Sequence, residues 1–316
     1  MDAKFELPAQ GGILLVDKAE GWTSHDVVAK ARRALGTRKV GHAGTLDPMA
    51  TGLLVLGAGP ATRLLTHLVG LDKTYETTIR LGESTVTDDR EGERLSSADA
   101  ADVAAVLADP DRVARGVEAL TGAIEQAPSA VSAIKVDGRR AYDRVRSGED
   151  VELKRRPVTV HRFAAGEARP AESSDGGAVL DLDATVGCSS GTYIRALARD
   201  LGADLGLGGH LVGLRRTLVG PFSVADAVSM ERLVAGDPGP LLAPADVARS
   251  LFPELTLSAQ QAIDLGHGKR LEVPDVADAR LVAAIDPEGR LIGLVEVKRG
   301  VTRVVTNFPT PDGAAG

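Results

Sequence analysis

One loop of this sequence combines a single acid with the residues of a rigid turn. The twelve residues from Gly41 to Gly52, GHAGTLDPMATG, include Asp47 as their only carboxylate, and we call them the Asp47 loop. Aspartate before proline is a common turn former, so the simplest interpretation of Asp47 is structural. If it instead acts as a nucleophile, it must be ionised, held rigidly and oriented by a cation. A buried arginine would lower the pKa of the carboxyl group, and Arg195 is a candidate by side-chain type.

Metal and nucleotide sites receive little support from the sequence. Its six histidines are scattered singly, without the short spacing that metal ligands usually show. The glycines of the Asp47 loop are not followed by the Lys-Ser/Thr pair of a P-loop, and DLGLGGH (204–210) lacks the G-x-G-x-x-G spacing. We therefore expect neither a metal ion nor a nucleotide cofactor.

A hydrolase signal is present at GCSSG (187–191), which matches G-x-S-x-G between a predicted strand and a predicted helix. A nucleophile elbow there would use Ser189 and would need an acid and then a histidine downstream. His210 or His267 could supply that histidine only if the fold brought it close. A Gly-Ser turn before a helix also arises as a simple cap, and we favour that interpretation. Cys188 has no evident catalytic partner.

The charge distribution is uneven. The net charge is −7, from 37 basic and 44 acidic residues, which argues mildly against a nucleic-acid partner. However, residues 27–46 contain five bases and no acid, and residues 135–162 contain nine bases against five acids. Nine acids and two arginines fall within residues 83–111. The pattern favours a polarised surface, although a solvated helix face explains either basic cluster equally well.

The composition is typical of a protein of the reducing cytoplasm. Cys188 is the single cysteine, so no internal disulfide can form. The first residues carry acids where a signal peptide carries bases, and no apolar run approaches the ~20 residues of a membrane span. We expect a cytoplasmic protein that does not contact membranes.

Strands and helices are predicted from the spacing of apolar residues. The alternation of Tyr75, Thr77, Ile79 and Leu81 is typical of a half-buried strand. The predicted strands are 12–16, 38–41, 53–57, 73–81, 179–187 and 210–222. One predicted helix follows an N-cap at Thr23 or Ser24. The others cover 62–69, 98–108, 110–121 and the residues after GCSSG.

The composition of the sequence changes at DPGPLLAP (237–244), which indicates a domain boundary. Beyond it, residues 280–307 have the pattern of a β-meander with a DPEG turn at 286–289. We predict a small β-rich module over 246–316, with a disordered tail.

Six ordered motifs carry a family resemblance. They are GILLVDKAEGWTSHDVV (12–28), GHAGTLDPMATGLLVLG (41–57), KTYETTIRLG (73–82), QAPSAVSAIKVDGRRAYDRVRSGE (126–149), CSSGTYIRALARDLG (188–202) and HLVGLRRTLVGPF (210–222). In these motifs the chain resembles the bacterial tRNA pseudouridine synthases of the TruB family, over nearly its whole length.

The resemblance implies an α+β fold whose central sheet is mixed, mainly antiparallel and flanked by helices. It implies a catalytic domain over 1–245 that contains a thumb-like insert at about 126–153. It also implies that the module over 246–316 is a PUA-like RNA-binding domain.

The resemblance assigns roles to individual residues. Asp47 matches the catalytic aspartate, Tyr75 the tyrosine that packs against the target base, and Arg195 the arginine that pairs with the aspartate. Otherwise, Tyr75 would be interpreted as a core aromatic. The residues expected to contact the uridine or the RNA around it are His42, Tyr193, Leu214, Arg38, Lys39, Lys135, Arg139 and Arg140. GCSSG becomes part of the family's CS-x-GTYIR motif.

The implied activity is conversion of uridine to pseudouridine at position 55 in the T-loop of tRNA. The same uracil is detached and rejoined without redox change or net use of water, so no cofactor is expected. Asp47 could attack ribose C1′ or uracil C6, and the sequence does not choose between them. We expect a monomer that binds the tRNA elbow. A tRNA-binding folding chaperone with secondary or lost catalysis is the alternative.

The sequence also departs from the family pattern. Ala19 replaces a usual proline, and Ser190 replaces a common lysine. Ser129 and Val131 stand where the insert usually has proline and tyrosine. These last two changes affect the expected RNA contacts of the insert.

Overall fold

A computed structural model describes residues 5–129 and 154–309, together with the backbone of residues 135–136 and 139–140. The predicted tail beyond residue 309 and most of the predicted insert therefore lie outside the described residues. Among the helices that are described, none has the length and apolar composition needed to cross a membrane.

Helices and strands alternate in short segments along the chain. The strands are β1 (Gly12–Lys18), β2 (Val40–His42), β3 (Thr51–Ala58), β4 (Lys73–Leu81), β5 (Glu83–Thr85), β6 (Arg94–Ser97), β7 (Gly122–Gln126), β8 (Lys135–Val136), β9 (Arg139–Arg140), β10 (Arg156–Ala165), β11 (Arg169–Glu172), β12 (Ala178–Cys188), β13 (Gly209–Val219), β14 (Phe222–Ser223), β15 (Val228–Ser229), β16 (Glu254–Thr256), β17 (Ala279–Ile285), β18 (Leu291–Lys298) and β19 (Val301–Asn307). The helices are α1 (Ser24–Ala34), α2 (Leu65–Val69), α3 (Ala100–Leu107), α4 (Pro110–Ala119), α5 (Ile194–Asp204), α6 (Met230–Val234), α7 (Pro244–Leu251) and α8 (Ala259–Gly266).

The chain divides into two compact units. Unit 1 comprises residues 1–48, 52–69 and 221–316, and unit 2 comprises residues 49–51 and 70–220. The chain thus passes from unit 1 to unit 2 directly after Pro48. The domain limits predicted at 245 and 246 stay a prediction.

Unit 1 contains a sheet in which β1 pairs with β3 antiparallel along its whole length and with β15 parallel. The apolar run Ile13–Val16 is buried, as is Leu53–Leu56 on the partner strand, which is typical of strands covered on both faces. Helix α1 begins after Thr23, whose side chain forms a capping box with Asp26. Thr23 is therefore the N-cap, and the alternative N-cap at Ser24 is wrong by one residue.

The C-terminal part of unit 1 forms a separate four-stranded sheet in the order β16-β17-β18-β19. Strands β17 to β19 make antiparallel pairs, so the β-meander predicted over 280–307 is confirmed. The DPEG turn is also confirmed: Gly289 N donates to Asp286 O at 3.0 Å. Eleven buried apolar residues around Leu265 and Ile292 form the core of this sheet and of α8.

Unit 2 contains five antiparallel strands in the order β13-β4-β12-β10-β7. Strand β4 lies between β12 and β13, and its inward residues at alternate positions from Lys73 to Leu81 are buried. The predicted strand over 73–81 is thus confirmed to the residue. Among the strand pairs whose register is described, β1–β15 and β16–β17 are parallel and the others are antiparallel, which confirms the mixed, mainly antiparallel character.

Among the elements that differ from the sequence prediction are one helix and one long strand. The helix predicted over 62–69 begins as a 3₁₀ helix at Gly59–Leu64, with Pro60 in its first turn, and becomes α-helical only in α2. Strand β10 was not predicted, because a bulge between Val160 and Arg162 interrupts its alternation of inward and outward residues.

Candidate active site

Residues on both sides of Asp47 are fixed by the segment that joins β1 to α1. The hydroxyl of Ser24 accepts a hydrogen bond from Leu46 N at 2.9 Å and donates to Leu46 O at 3.1 Å. Ser24 is 1% exposed. Because Thr23 caps the helix, the Ser24 side chain is available for the loop. The residue before Asp47 therefore has both of its backbone polar groups held by one side chain.

Pro48, directly after Asp47, is held by Lys18 at the end of β1. The Lys18 ammonium is fully buried and donates to the carbonyl oxygens of Trp22 at 2.7 Å, Ala19 at 3.1 Å and Pro48 at 3.2 Å. Gly21 N also donates to Pro48 O, at 2.9 Å. A buried ammonium requires such a set of acceptors, since an unsatisfied charge in the interior is costly. The two fixed neighbours make the backbone at Asp47 rigid.

His42, the second residue of the Asp47 loop, is the last residue of β2, and its ring packs edge-to-face with that of His25 at a centroid distance of 6.0 Å. The predicted phosphate contacts Arg38 and Lys39 precede β2 and are exposed. Lys30 on α1 lies 5.6 Å from the ring centroid of Trp22, a cation–π distance. Exposed cations and rings near the Asp47 loop suit contact with an unpaired base and its phosphates.

In unit 2, Arg195 is held by a turn that follows β5. Its Nη1 atom donates to Asp89 Oδ2 and to Thr87 O, both at 3.0 Å. The side chains of Arg195 and Asp89 are 9% and 3% exposed, so this is a buried ion pair. The Thr85 hydroxyl donates to Asp89 O at 2.7 Å, and this bond fixes the backbone of Asp89. Arg195 lies in the first turn of α5, where the helix dipole disfavours a cation and Asp89 offsets that effect.

Sequence reasoning missed Asp89, because it counted the acids of residues 83–111 as one charged surface region. Three of them, Glu83, Asp88 and Asp89, are in fact buried and bonded to arginines. The available signal was their position directly after a predicted strand and next to the only threonine-rich turn in the region, TVTDD. The acidic surface that we expected is therefore smaller.

Tyr75 is 9% exposed on the inward face of β4, opposite Val186 of β12 and Arg216 of β13. Leu214 lies on β13 opposite Thr77, whose hydroxyl donates to Gly213 O at 2.6 Å beside a bulge. These positions place Tyr75 and Leu214 on neighbouring strands of the sheet of unit 2.

Tyr193 caps α5 and is tied to the end of β7 by Gln126. The Gln126 amide donates to Tyr193 O at 3.0 Å and accepts from Tyr193 N at 2.7 Å. Since Arg195 is two residues further on, this pair also fixes the start of the helix that carries it. Strands β8 and β9 pair Lys135 with Arg140 and Val136 with Arg139, but the side chains of Lys135, Arg139 and Arg140 lie outside the described residues.

The local contacts favour the simple-turn interpretation of GCSSG. The Ser189 hydroxyl accepts from Thr159 N at 2.9 Å, and Ser189 N donates to Thr159 O at 2.8 Å. His210, also in unit 2, lies against Glu83, with Nδ1 3.3 Å from Glu83 O. Burial raises the pKa of the Cys188 thiol to about 11, so that cysteine is unreactive at neutral pH.

No group of three or more metal-ligating side chains occurs in residues 5–129 and 154–309. Within each unit, the structure brings together the Asp47 loop with Lys18 and Ser24, and Arg195 with Asp89 and Tyr193. The pairing of Asp47 with Arg195 that the resemblance implies stays a prediction, as does the contact of Tyr75 with the base.

Three family models match the chain in succession. Residues 32–194 match the model described as TruB family pseudouridylate synthase (N terminal domain). Residues 195–237 match tRNA pseudouridylate synthase B C-terminal domain, and residues 252–309 match tRNA Pseudouridine synthase II, C terminal.

Relatives with high identity cover nearly all of the chain. A protein of Leifsonia xyli subsp. xyli is 55% identical over 304 residues, which is 95% of this chain and 97% of the relative. One of an Arthrobacter species is 54% identical, covering 94% and 96% of the two chains. One of Thermobifida fusca is 52% identical, covering 94% and 98%. All three bear the name tRNA pseudouridine synthase B.

Two solved structures share the fold. One is described as an H/ACA RNP bound to a substrate RNA containing 2′-deoxyuridine, with a TM-score of 0.70 over 99% of this chain and 92% of that one, at 21% identity. The other is an archaeal box H/ACA sRNP Nop10-Cbf5 complex, with a TM-score of 0.66 over 99% and 93%, at 22% identity. These likenesses confirm the predicted fold class.

Proposed function

Because this chain belongs to the TruB family of pseudouridine synthases, we propose that it isomerises uridine to pseudouridine at position 55 in the T-loop of tRNA. The observation that carries the proposal is 55% identity over 95% of the chain to a tRNA pseudouridine synthase B. The rigid Asp47 loop and the buried Arg195 agree with it. We further propose that the protein acts as a cytoplasmic monomer.

Asp47 is the nucleophile in this proposal. The bond between ribose C1′ and uracil N1 breaks, a bond between C1′ and C5 forms, the hydrogen on C5 leaves as a proton and N1 gains one. Product and substrate have the same composition, so neither a redox cofactor nor a second acid to activate water is required. Attack at C1′ and attack at C6 both fit a single carboxylate.

In this proposal, Arg195 acts on the Asp47 carboxylate and Tyr75 acts on the target base. An ionised aspartate is stabilised by a guanidinium, which also fixes its orientation. The Tyr75 ring offers a flat face for stacking against the flipped uracil, which must leave its own stack at a cost of about a few kcal/mol. His42, Tyr193 and Leu214 contact the uridine or its neighbours in this proposal.

Basic residues bind the phosphates of the tRNA. Arg38 and Lys39 flank the Asp47 loop, and Lys135, Arg139 and Arg140 lie in the insert. A third basic surface supports an RNA-binding role for the C-terminal sheet. The residues that line its cleft of about 370 Å³ include four cations, Arg270, Lys298, Arg299 and Arg303, and one acid, Glu296, which accepts a hydrogen bond from Arg303. Binding through so many cations should weaken steeply as salt rises.

The decisive test is release of tritium from tRNA labelled at uridine C5, with pure protein and no added cofactor. Wild type should release tritium, and Asp47→Asn should release none while its affinity for tRNA changes less than about threefold. Asp204→Asn, on the exposed end of α5, is the matched control and should behave as wild type. Tritium release by Asp47→Asn would refute the role of Asp47. Binding of tRNA by wild type without release would favour the folding chaperone instead.

A further inference from the structure

A single backbone carbonyl joins Arg195 to the first residues of the insert. Thr87 O accepts a hydrogen bond from Arg195 Nη1 at 3.0 Å and another from Ser129 Oγ at 3.0 Å. A carbonyl oxygen has two lone pairs, so these donors together occupy both. The orientation of one peptide group therefore decides both bonds.

That peptide group is followed by a residue in an uncommon conformation. Asp88 has a φ of 58°, the left-handed region, which costs a non-glycine residue about 1 kcal/mol and is tolerated best by aspartate and asparagine. Rotation of the peptide plane between Thr87 and Asp88 would relieve this conformation and turn the carbonyl away from the guanidinium. The hydrogen bond from Ser129 opposes that rotation.

The segment 126–129 is anchored to the same two elements. Besides the Gln126–Tyr193 pair described above, Arg199 of α5 donates to Ala127 O at 2.9 Å and to Asp88 Oδ2 at 3.1 Å. One face of the segment thus bonds to the helix that carries Arg195, and Ser129 bonds to the turn that orients Arg195.

Ser129 is fully buried, and a buried hydroxyl normally has a partner, so the existence of its bond alone says little. The identity of the acceptor is more informative, because Thr87 O also accepts the hydrogen bond from Arg195. Burial raises the pKa of Asp88, whose carboxylate accepts a hydrogen bond from Arg199 Nη1 at 3.1 Å.

We propose that Ser129 is a positioning residue for Arg195, acting through the carbonyl of Thr87. In this arrangement, the seating of residues 126–129 on the turn sets the direction in which the guanidinium points. The inference rests on the proposed function, in which Arg195 orients the nucleophile.

The test compares Ser129→Ala with Ser173→Ala, a matched control in the same unit. Ser173 is also buried and donates to Glu83 Oε2 at 2.6 Å, but it contacts neither Thr87 nor Arg195. With saturating tRNA, Ser129→Ala should lower the single-turnover rate of pseudouridine formation about tenfold. Its tRNA dissociation constant should stay within about twofold of wild type. Ser173→Ala should leave both values unchanged.

A second measurement does not depend on activity. The amides of Asp88 and Arg90 are hydrogen-bonded, to Thr85 O and Leu211 O, so their hydrogen exchange can be followed by mass spectrometry. Ser129→Ala should speed exchange of residues 86–91 about tenfold, and Ser173→Ala should not. Ser129→Cys, which retains volume and a weak donor, should lie between wild type and Ser129→Ala in rate and exchange.

The outcomes separate the two proposals. Unchanged rate and unchanged exchange in folded Ser129→Ala would overturn the role of Ser129, as would equal losses in Ser173→Ala. If Ser129→Ala does not fold, Ser129→Cys with wild-type rate and exchange would overturn it instead. A wild-type protein that makes no pseudouridine, yet shows faster exchange in Ser129→Ala, would refute the proposed function and support the coupling of Ser129 to the turn.

Discussion

The Asp47 loop and the turn that holds Arg195 fix their charged side chains in different ways. In the loop, the bonds go to the backbone on either side of Asp47 and come from Ser24 and Lys18. In the turn, the bonds go to the guanidinium itself, and the principal partner is the buried carboxylate of Asp89. Ser24 and Lys18 thus act on Asp47 through its neighbours, whereas Asp89 acts on Arg195 through the terminal atoms of the guanidinium.

The difference follows from what each group must do. A carboxylate that attacks a substrate must keep an oxygen for the reaction, so structural bonds are better carried by the residues beside it. A guanidinium has five N–H donors in a rigid fork, so it can donate hydrogen bonds to the protein and to a substrate or catalytic group at the same time. We therefore expect loss of the buried carboxylate to be most damaging in the turn, and loss of the hydrogen bonds to the backbone to have graded effects in the loop.

The largest effect is expected for Asp89→Asn, which removes a buried anion 3.0 Å from Arg195. Breaking a buried ion pair by removing one partner costs about 3 kcal/mol, and a misplaced catalytic group costs roughly 100-fold in rate. Chemical denaturation and the single-turnover rate measure the two losses. The adjacent Asp88→Asn is the control for stability and should lose less than about 1 kcal/mol. Equal losses in both variants would mean that Asp89 has no special relation to Arg195.

Lys18→Met should give the next largest effect, because it removes the donor shared by three carbonyls while keeping most of the side-chain volume. Losing the hydrogen bonds of a buried ammonium costs about 2 kcal/mol, and the weaker hold on Pro48, which keeps only the bond from Gly21 N, should lower the single-turnover rate roughly 30-fold. Lys269→Met, on an exposed ion pair with Asp264 in the same unit, is the control and should change neither. A wild-type rate in Lys18→Met would show that Asp47 does not depend on this clamp.

Ser24→Ala should have a smaller effect, about tenfold in rate, because the tether on Pro48 persists when the two bonds to Leu46 are lost. Thr23→Ala is a close control, since it removes the cap of the same helix and costs about 1 kcal/mol of stability. The two variants should lose similar stability, but only Ser24→Ala should lose rate. If Thr23→Ala slows the reaction equally, the loop responds to the helix as a whole and the bonds of Ser24 carry no separate role.

The two regions also differ in how far the sequence predicted them. The elements around the Asp47 loop were predicted well, because Ile13–Val16 and Leu53–Leu56 are apolar runs with clear turn signals between them. The partners of Arg195 were not predicted, since Asp89 lies 106 residues away in the chain and the sequence does not show whether an acid is buried or exposed. The contacts of Lys18 were not predicted either, for the same reason. Contacts made by polar side chains across the fold leave no periodic pattern in the sequence.

The smallest expected effect concerns the pH dependence of the turn. Burial raises the pKa of Asp88, with Ser129 and Arg199 acting against the rise. Just above the ordinary pKa of an aspartate, the folded state therefore binds more protons than the unfolded state, and stability falls as pH rises through the folded pKa. Wild type should thus gain stability relative to Asp88→Asn as pH is lowered towards 4. Denaturation of both proteins between pH 4 and 7 measures this difference. A gap that is constant with pH would mean that Asp88 titrates alike in both states, and the turn would then resemble the Asp47 loop in depending on hydrogen bonds more than on charge.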